Sequence, residues 1–449
     1  MKNYKYIVPV LLVAGMAAGW YNMIDTVKGN QQKHEEYIRQ ADDYLKKDII
    51  VDALENYNNA LKIEDTLDVR MKIQKVYLDN GQLDEAEEYA VAIMQKYQGN
   101  PQIYECMMDY YVKNEMYQEA FSIYDKAAAS KAMSSKLKAL RASIEYKYTI
   151  LADAYTKVSS YVNGICAVDY DGEKGYVTES GSKMLFGNYE EITDFMSDFA
   201  CVKVWKEDDG KKDSKEAQWQ LIDTSGNKRR ILPENVDQSK IKSVGNYSGG
   251  VYAIETDDDK CAYYTADGGL WKDGMVAAGS FWEGKLVVLD GAGYHFIDNQ
   301  GNQVGGDFED IVMDDLKVAM RQKRYFAMKG SKYQLYDSEG KVVGNGSWQD
   351  ADPFTENGAY AAVKSGDKWG FVNTNGDVVI EPQYEDARSF SNGFGAVKKD
   401  GKWGFIDQNN KMCIEPTFDD AKYMNSRGNV FIKQNGLWST LSLYSYNYK

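Results

Sequence analysis

The stretch "GAVKKDGKWGFIDQNNK" at residues 395–411 repeats, 34 residues later, the pattern of "AAVKSGDKWGFVNTNGD" at 361–377. A chain that spells one strand, turn, strand unit at a fixed period must stack copies of it, because so short an antiparallel sheet cannot bury both of its faces alone. Alignment on the tryptophan gives eight anchors, Lys174, Trp219, Cys261, Tyr294, Tyr333, Trp369, Trp403 and Trp438, spaced by 33 to 45 residues. Alternating runs such as "GICAVDY", "ACVKVW" and "NVFIK" accompany them and read as strands. The widest spacing holds the charged insertion "KEDDGKKDSKEA".

Seven residues after the anchors lies a second column, Gly181, Gly226, Gly268, Gly301, Gly340, Gly376 and Asn410. Glycine reaches left-handed backbone angles freely and asparagine is the next most tolerant residue, so the column predicts a left-handed turn in each unit. Asp223, Asp298, Asp337 and Asp407 stand three residues before four of these positions, where a carboxylate can accept the following amides. Eight residues past the turn come Tyr189, Trp348, Tyr384 and Phe418, with Phe308 one place short, and each is expected to begin a third strand. Pro382 and Pro416 just before two of them suit a sheet edge.

The clearest units, "KWGFVNTNGDVVIEPQYEDA" and "KWGFIDQNNKMCIEPTFDDA", resemble the WG (KWG) repeat of bacterial proteins, strongly over residues 359–421 and in degenerate form back to 161. That resemblance implies a β-propeller with blades of about 35 residues. In one hairpin Trp403 and Phe405 point to one face and Gly404 and Ile406 to the other, as do Trp369, Phe371 and Gly370 in the preceding unit. Both faces are then apolar, as a blade between two neighbours requires. Gly404 in mid-strand predicts close approach of the next blade's large ring. Eight hairpins predict eight blades rather than seven, the last supplying only part of its sheet; Ser439 replaces the glycine after Trp438 there.

Upstream, apolar residues recur at helical spacing from about 37 to 129. Three segments, starting at Tyr37, Arg70 and Tyr104, superimpose at a period of 33 or 34. Tyr44, Tyr77 and Tyr111 fall on the first helix of each, Ala53, Ala86 and Ala120 on the second, and Asp48, Gly81 and Glu115 on the turn. A small alanine permits close helix approach and the tyrosine fills the space one turn away. The pattern resembles the tetratricopeptide repeat (TPR), which implies a helical solenoid with a groove for a peptide or helix. A fourth helical stretch, Ser134 to Ser160 with Ala154 at the same spacing, is expected to cap the array.

"YIVPVLLVAGMAAGWYNMI", residues 6–24, carries no charge and is close to the roughly 20 residues that span a bilayer. Trp20, Tyr21, Met23 and Ile24 prolong it past a small-residue cleavage pattern at 17–19, so an uncleaved signal anchor is expected over a cleaved signal peptide. Lys2 and Lys5 before it predict a single-pass cell-membrane protein with a cytoplasmic N-terminus and an extracytoplasmic bulk.

A formal charge of 53 − 68 = −15 argues against nucleic acid as a partner. Cys106, Cys166, Cys201, Cys261 and Cys413 are scattered and odd in number, which writes neither a zinc site nor a disulfide framework. The two histidines, His34 and His295, have no triad or metal spacing, no phosphate or dinucleotide loop appears, and the acidic run at 257–259 lacks the glycine and distal glutamate of a calcium loop. No enzyme, cofactor or metal is therefore expected.

The multidomain plan is thus an anchor at 1–30, a TPR-like array with its capping helix at 31–160 and a WG-repeat propeller at 161–449. The expected function is a scaffold binding another protein of the bacterial cell envelope or surface, through the helical groove or the propeller's loop ends. A cell-wall or carbohydrate binder is the alternative, motivated by 35 Tyr and 9 Trp, and a glycan-active propeller enzyme comes third.

Overall fold

The computed structural model describes residues 27–205, 207–208, 211–212, 217–231, 233 and 236–446. The 6–24 stretch expected to anchor the chain lies outside them, and no helix among the described residues is long and apolar enough to cross a membrane. The chain divides after Lys147 into a helical unit and an all-β unit.

The helical unit opens with α1 (residues 27–45) and continues with α2 (Ile50–Ile63), α3 (Leu67–Asp79), α4 (Leu83–Lys96), α5 (Gln102–Lys113), α6 (Tyr117–Ala129) and α7 (Ser135–Ser143). Ala53, Ala86 and Ala120 are fully buried, and the first two helix pairs share a core of Ala41, Tyr57, Ala60, Val69, Ile73 and Val76. Each pair turns through a left-handed residue, Asp48 at φ 60°, Gly81 at 69° and Glu115 at 59°. The next amide (Ile49, Gln82, Met116) then bonds back to the carbonyl of Tyr44, Tyr77 or Tyr111 at 2.9–3.0 Å, closing the helix end in the same way three times. This arrangement is compatible with the TPR-like reading.

The fourth helical stretch departs from expectation. α7 ends at Ser143, Ala154 lies outside any helix, and Tyr148–Ile150 is a strand paired antiparallel to Leu437–Leu443, with Tyr148 opposite Leu443 and Ile150 opposite Leu441. Tyr155 and Trp438 exchange two backbone bonds of 2.8 Å. The β unit therefore begins before residue 161, because its last sheet needs a strand from its own N-terminal end.

Among the described residues, eight sheets form the propeller. Their innermost strands are Lys157–Val158, Tyr189–Ile192, Ile241–Val244, Ala277–Ala278, Asp310–Ile311, Asp350–Ala351, Asp386–Ser391 and Asp420–Ala421. Seven sheets have four strands; in the fifth blade the outer segment makes only isolated bridges, Tyr333 with Trp348 and Tyr336 with Val342. The eighth blade takes its outer strand from Tyr148–Ile150, so the first and last strands of the unit close the ring.

The residues expected to begin a third strand instead end the outer one. Tyr384 pairs with Trp369, Phe418 with Trp403, and Phe308 with Tyr294, because each outer strand carries a bulge before its aromatic. Tyr189 opens the inner strand of the second blade.

Candidate functional site

The residues of the repeat motif are buried structure. Trp219, Trp369, Trp403 and Trp438 are 2–8% exposed, and Phe371 and Phe405 are fully buried. Between the sixth and seventh blades, Trp369, Phe371 and Tyr384 pack on Ala387, Phe390, Val397 and Ile406. The motif glycine has a cause other than a neighbouring ring. A Cβ on Gly370 would lie 2.5 Å from the carbonyl oxygen of Ile380, and one on Gly404 2.5 Å from that of Ile414. The bulged outer strand of the same blade presses on the glycine. In the turn column Gly181, Gly226, Gly268, Gly301, Gly340 and Gly376 have φ of 78–83° and Asn410 has 62°. Asp223, Asp298, Asp337 and Asp407 each accept two amides beyond the turn at 2.9–3.0 Å.

His295 replaces the motif glycine in the fourth blade and is 4% exposed, with Asp290 and Asp307 carboxylates 3.6–3.7 Å from its two nitrogens. The outer bulge there contains Gly305 and Gly306, which leaves room for the ring. His34 is buried in α1.

In the helical unit, Glu87, Val91, Met94, Met107, Tyr111 and Ile123 contribute to a concavity of about 510 Å³ between α4, α5 and α6. The Tyr111 hydroxyl donates to Glu87 at 2.6 Å.

On the propeller, the inner strands run down a central channel and pass into connections that converge at one mouth. In the first four blades, six residues separate inner and second strands; in the fifth, Ile311 and Arg324 are separated by twelve. This longer connection crosses the channel mouth. Asp315 on it accepts from Ser160 of the first blade at 2.8 Å and from Lys422 of the eighth at 2.7 Å. The backbone carbonyl of Leu316 accepts from Ser280 at 2.7 Å and Asn246 at 3.2 Å. Leu316 and Val318 are buried with Val162, Met196 and Trp282. The Asp315 carboxylate and the Leu316 carbonyl thus make polar contacts to four other blades, while Leu316 and Val318 bury a hydrophobic cluster.

Below that loop the channel wall is polar. Asp352 accepts from the Tyr423 hydroxyl at 2.8 Å and from the Ser389 amide at 2.7 Å; Asp194 accepts from Ser159; Arg388 pairs with Asp420 at 2.9 Å and lies over the Trp403 ring at 4.7 Å. Burial pushes the Asp194 and Asp352 carboxyls up to about 6. It also raises Asp314, against the pull of Arg321 at 2.6 Å.

Beside the loop lies a pocket of about 220 Å³, walled by the first, fourth, fifth, sixth, seventh and eighth blades. Its charged lining residues are Glu179, Asp314, Arg321 and Glu356. Of the predicted repeat residues, none lines it. The sequence reading placed binding at the loop ends without naming these residues. Anchor spacing does not single the loop out: Tyr294 and Tyr333 are 39 residues apart, but the two spacings of 45 and 42 upstream are wider and fall on blades whose corresponding connection is six residues.

Residues 335–369, 369–403 and 403–438 match the family described as WG containing repeat. The chain carries WG repeats there, on an eight-bladed propeller preceded by a helical region. No curated protein matches the chain. Among solved structures it is similar to BamB from Moraxella catarrhalis, at 14% identity over 66% of this chain and 93% of that one, with a TM-score of 0.38. The C-terminal WD40 domain of Sif2 gives 12%, 66%, 98% and 0.41, and the WD40 β-propeller domain of Doa1 11%, 66%, 95% and 0.29.

Proposed function

We propose that this protein is a non-enzymatic protein-interaction scaffold, tethered to the cell membrane by residues 6–24 with its bulk outside the cytoplasm. The observation that carries the binding role is the channel-mouth pocket. Six blades contribute to it, yet its volume of about 220 Å³ falls below the roughly 300–1,000 Å³ of small-molecule and cofactor sites. A cavity of that size takes one protruding side chain, while the surrounding loops offer a wide polar rim to the rest of a partner. Aromatic exposure weighs against the carbohydrate alternative: Tyr170 is the one exposed aromatic residue among those described, so no open row of rings awaits a sugar. The tether is supported by the length and uncharged character of the 6–24 stretch alone.

Site-specific photo-crosslinking of the full chain on intact cells tests this. A crosslinker at Asn357, on the pocket rim, should capture a defined protein. The same group at Asp400 faces the opposite end of the propeller, where the turn between the two middle strands of a blade lies, and should not. Equal capture at both positions, or hydrolysis of a glycan, peptide or ester by the pure protein, overturns the scaffold reading.

A further inference from the structure

We infer that the channel-mouth pocket receives a single basic side chain, a lysine or arginine presented by a partner polypeptide. This deepens the protein-binding reading above and rests on it.

The chemistry follows from where the pocket's protons go. Ser160 donates its hydroxyl to Asp315 at 2.8 Å, Thr355 to the Phe390 carbonyl at 2.6 Å, Ser391 to the Met424 carbonyl at 2.8 Å and Ser426 to Glu179 at 2.9 Å. The side-chain amides behave alike. Asn163 donates to the carbonyls of Phe195 and Met196 at 3.2 and 2.9 Å, and Asn392 to Ser391 and the Met424 carbonyl at 3.2 and 2.9 Å. Each of these groups turns its hydrogen into the protein and keeps oxygen lone pairs for a guest; on the rim the Asn357 amide remains a donor, so the oxygens outnumber the donors a guest meets rather than replace them. A guest must then bring donors, and of the side chains only ammonium and guanidinium bring several donors and no acceptor.

Charge points the same way. Glu179, Asp314 and Glu356 set three negative charges against the one positive charge of Arg321. That arginine is engaged, bonded to Asp314 at 2.6 Å and lying over the Trp282 ring at 4.4 Å. Val162, Phe354 and Met424 supply apolar wall for the methylene stem of a long basic residue, whose head would sit among the oxygens.

The test uses the purified full chain and capped tripeptides whose central residue is lysine, arginine, acetyl-lysine or citrulline, with calcium as a separate probe, read by ligand-observed NMR and calorimetry. The lysine or arginine peptide should bind saturably, and the two neutral peptides should not. Glu179→Gln should weaken binding about tenfold, as expected for a charge-assisted hydrogen bond lost from a half-buried site, and Glu356→Gln, at an exposed position on the rim, should weaken it about threefold. Glu339→Gln, in an exposed turn outside the pocket, should leave it unchanged, and unaltered thermal melting of all three variants certifies the fold. Equal binding of the citrulline peptide, indifference to both pocket substitutions, displacement of the peptide by calcium at those carboxylates, or no peptide binding overturns the inference. If no peptide binds while Asn357 still captures a partner on cells, the pocket chemistry fails and the scaffold stands. If the peptide binds with the stated carboxylate dependence and no partner is captured, the pocket chemistry stands and the scaffold fails.

Discussion

The carbonyl oxygen of Ile414 lies 2.5 Å from the point where Gly404 would carry a Cβ. Real Cβ atoms do not approach backbone so closely, so the outer strand of the seventh blade fits over its neighbour only because residue 404 has no side chain. Gly404→Ala should destabilise the propeller by about 1–3 kcal/mol, the usual cost of overpacking. Gly291→Ala adds its Cβ to open space at an ordinary backbone angle and should stay within about 0.5 kcal/mol of the parent. Chemical denaturation of the two variants compares them; similar losses would mean that glycine is needed in both places for backbone freedom rather than for room.

Ring closure gives a second expectation. A chain beginning at residue 152 keeps the inner strand of the first blade but lacks the strand that pairs with Leu437–Leu443, and leaves the backbone of Leu441 and Leu443, both fully buried, without its partner. Compared with a chain beginning at residue 148, it should melt at lower temperature and expose apolar surface, measured by dye binding and light scattering. Equal melting temperatures would show that the eighth blade is complete with three strands.

Much of this architecture was legible because it repeats. The turn column predicts φ > 0 at seven positions, and the same backbone demand reappears wherever a hairpin must reverse between middle and outer strands. The alternation of Trp403, Gly404 and Phe405 likewise announces a blade with two apolar faces. What repetition cannot announce is the exception. Tyr148–Ile150 is three residues that read as the tail of a helical region, and only their distant partner near the other end of the chain makes them a strand. The loop between Ile311 and Arg324 is hidden in an anchor spacing of 39 that two upstream spacings exceed, and Asp315 is one acid among 68 Asp and Glu until the ring brings Ser160 and Lys422 to it. Asp194 and Asp352 are ordinary strand-end polar residues in sequence; their burial comes from the channel.

The channel carboxyls predict a pH dependence. Folding raises Asp194 and Asp352 from the ordinary carboxyl range to about 6. The native state therefore binds more protons than the unfolded chain between pH 4 and 6. Their protonated forms stabilise the fold fully below the unfolded value, and that contribution is lost as pH rises through 6, at about 1–3 kcal/mol per group. Thermal melting should fall between pH 5 and pH 7.5, and Asp194→Asn should flatten that slope relative to the parent. A variant slope equal to the parent's would show that Asp194 is not raised.

Asn410 carries the last prediction, because it serves two purposes that oppose each other on substitution. At φ 62° it occupies a left-handed position that glycine holds in the other six units, so Asn410→Gly should relieve backbone strain by a few tenths of a kcal/mol. Its side-chain oxygen also accepts the Tyr384 hydroxyl of the sixth blade at 2.5 Å, and loss of that bond should cost about 1 kcal/mol. In the parent background Asn410→Gly should therefore destabilise slightly. In a Tyr384→Phe background the hydroxyl is already gone, and the same change should become neutral or stabilising. A double-mutant cycle on the two positions should return a coupling of about 1 kcal/mol. Zero coupling would mean that the inter-blade bond contributes nothing and that Asn410 is retained only for its backbone.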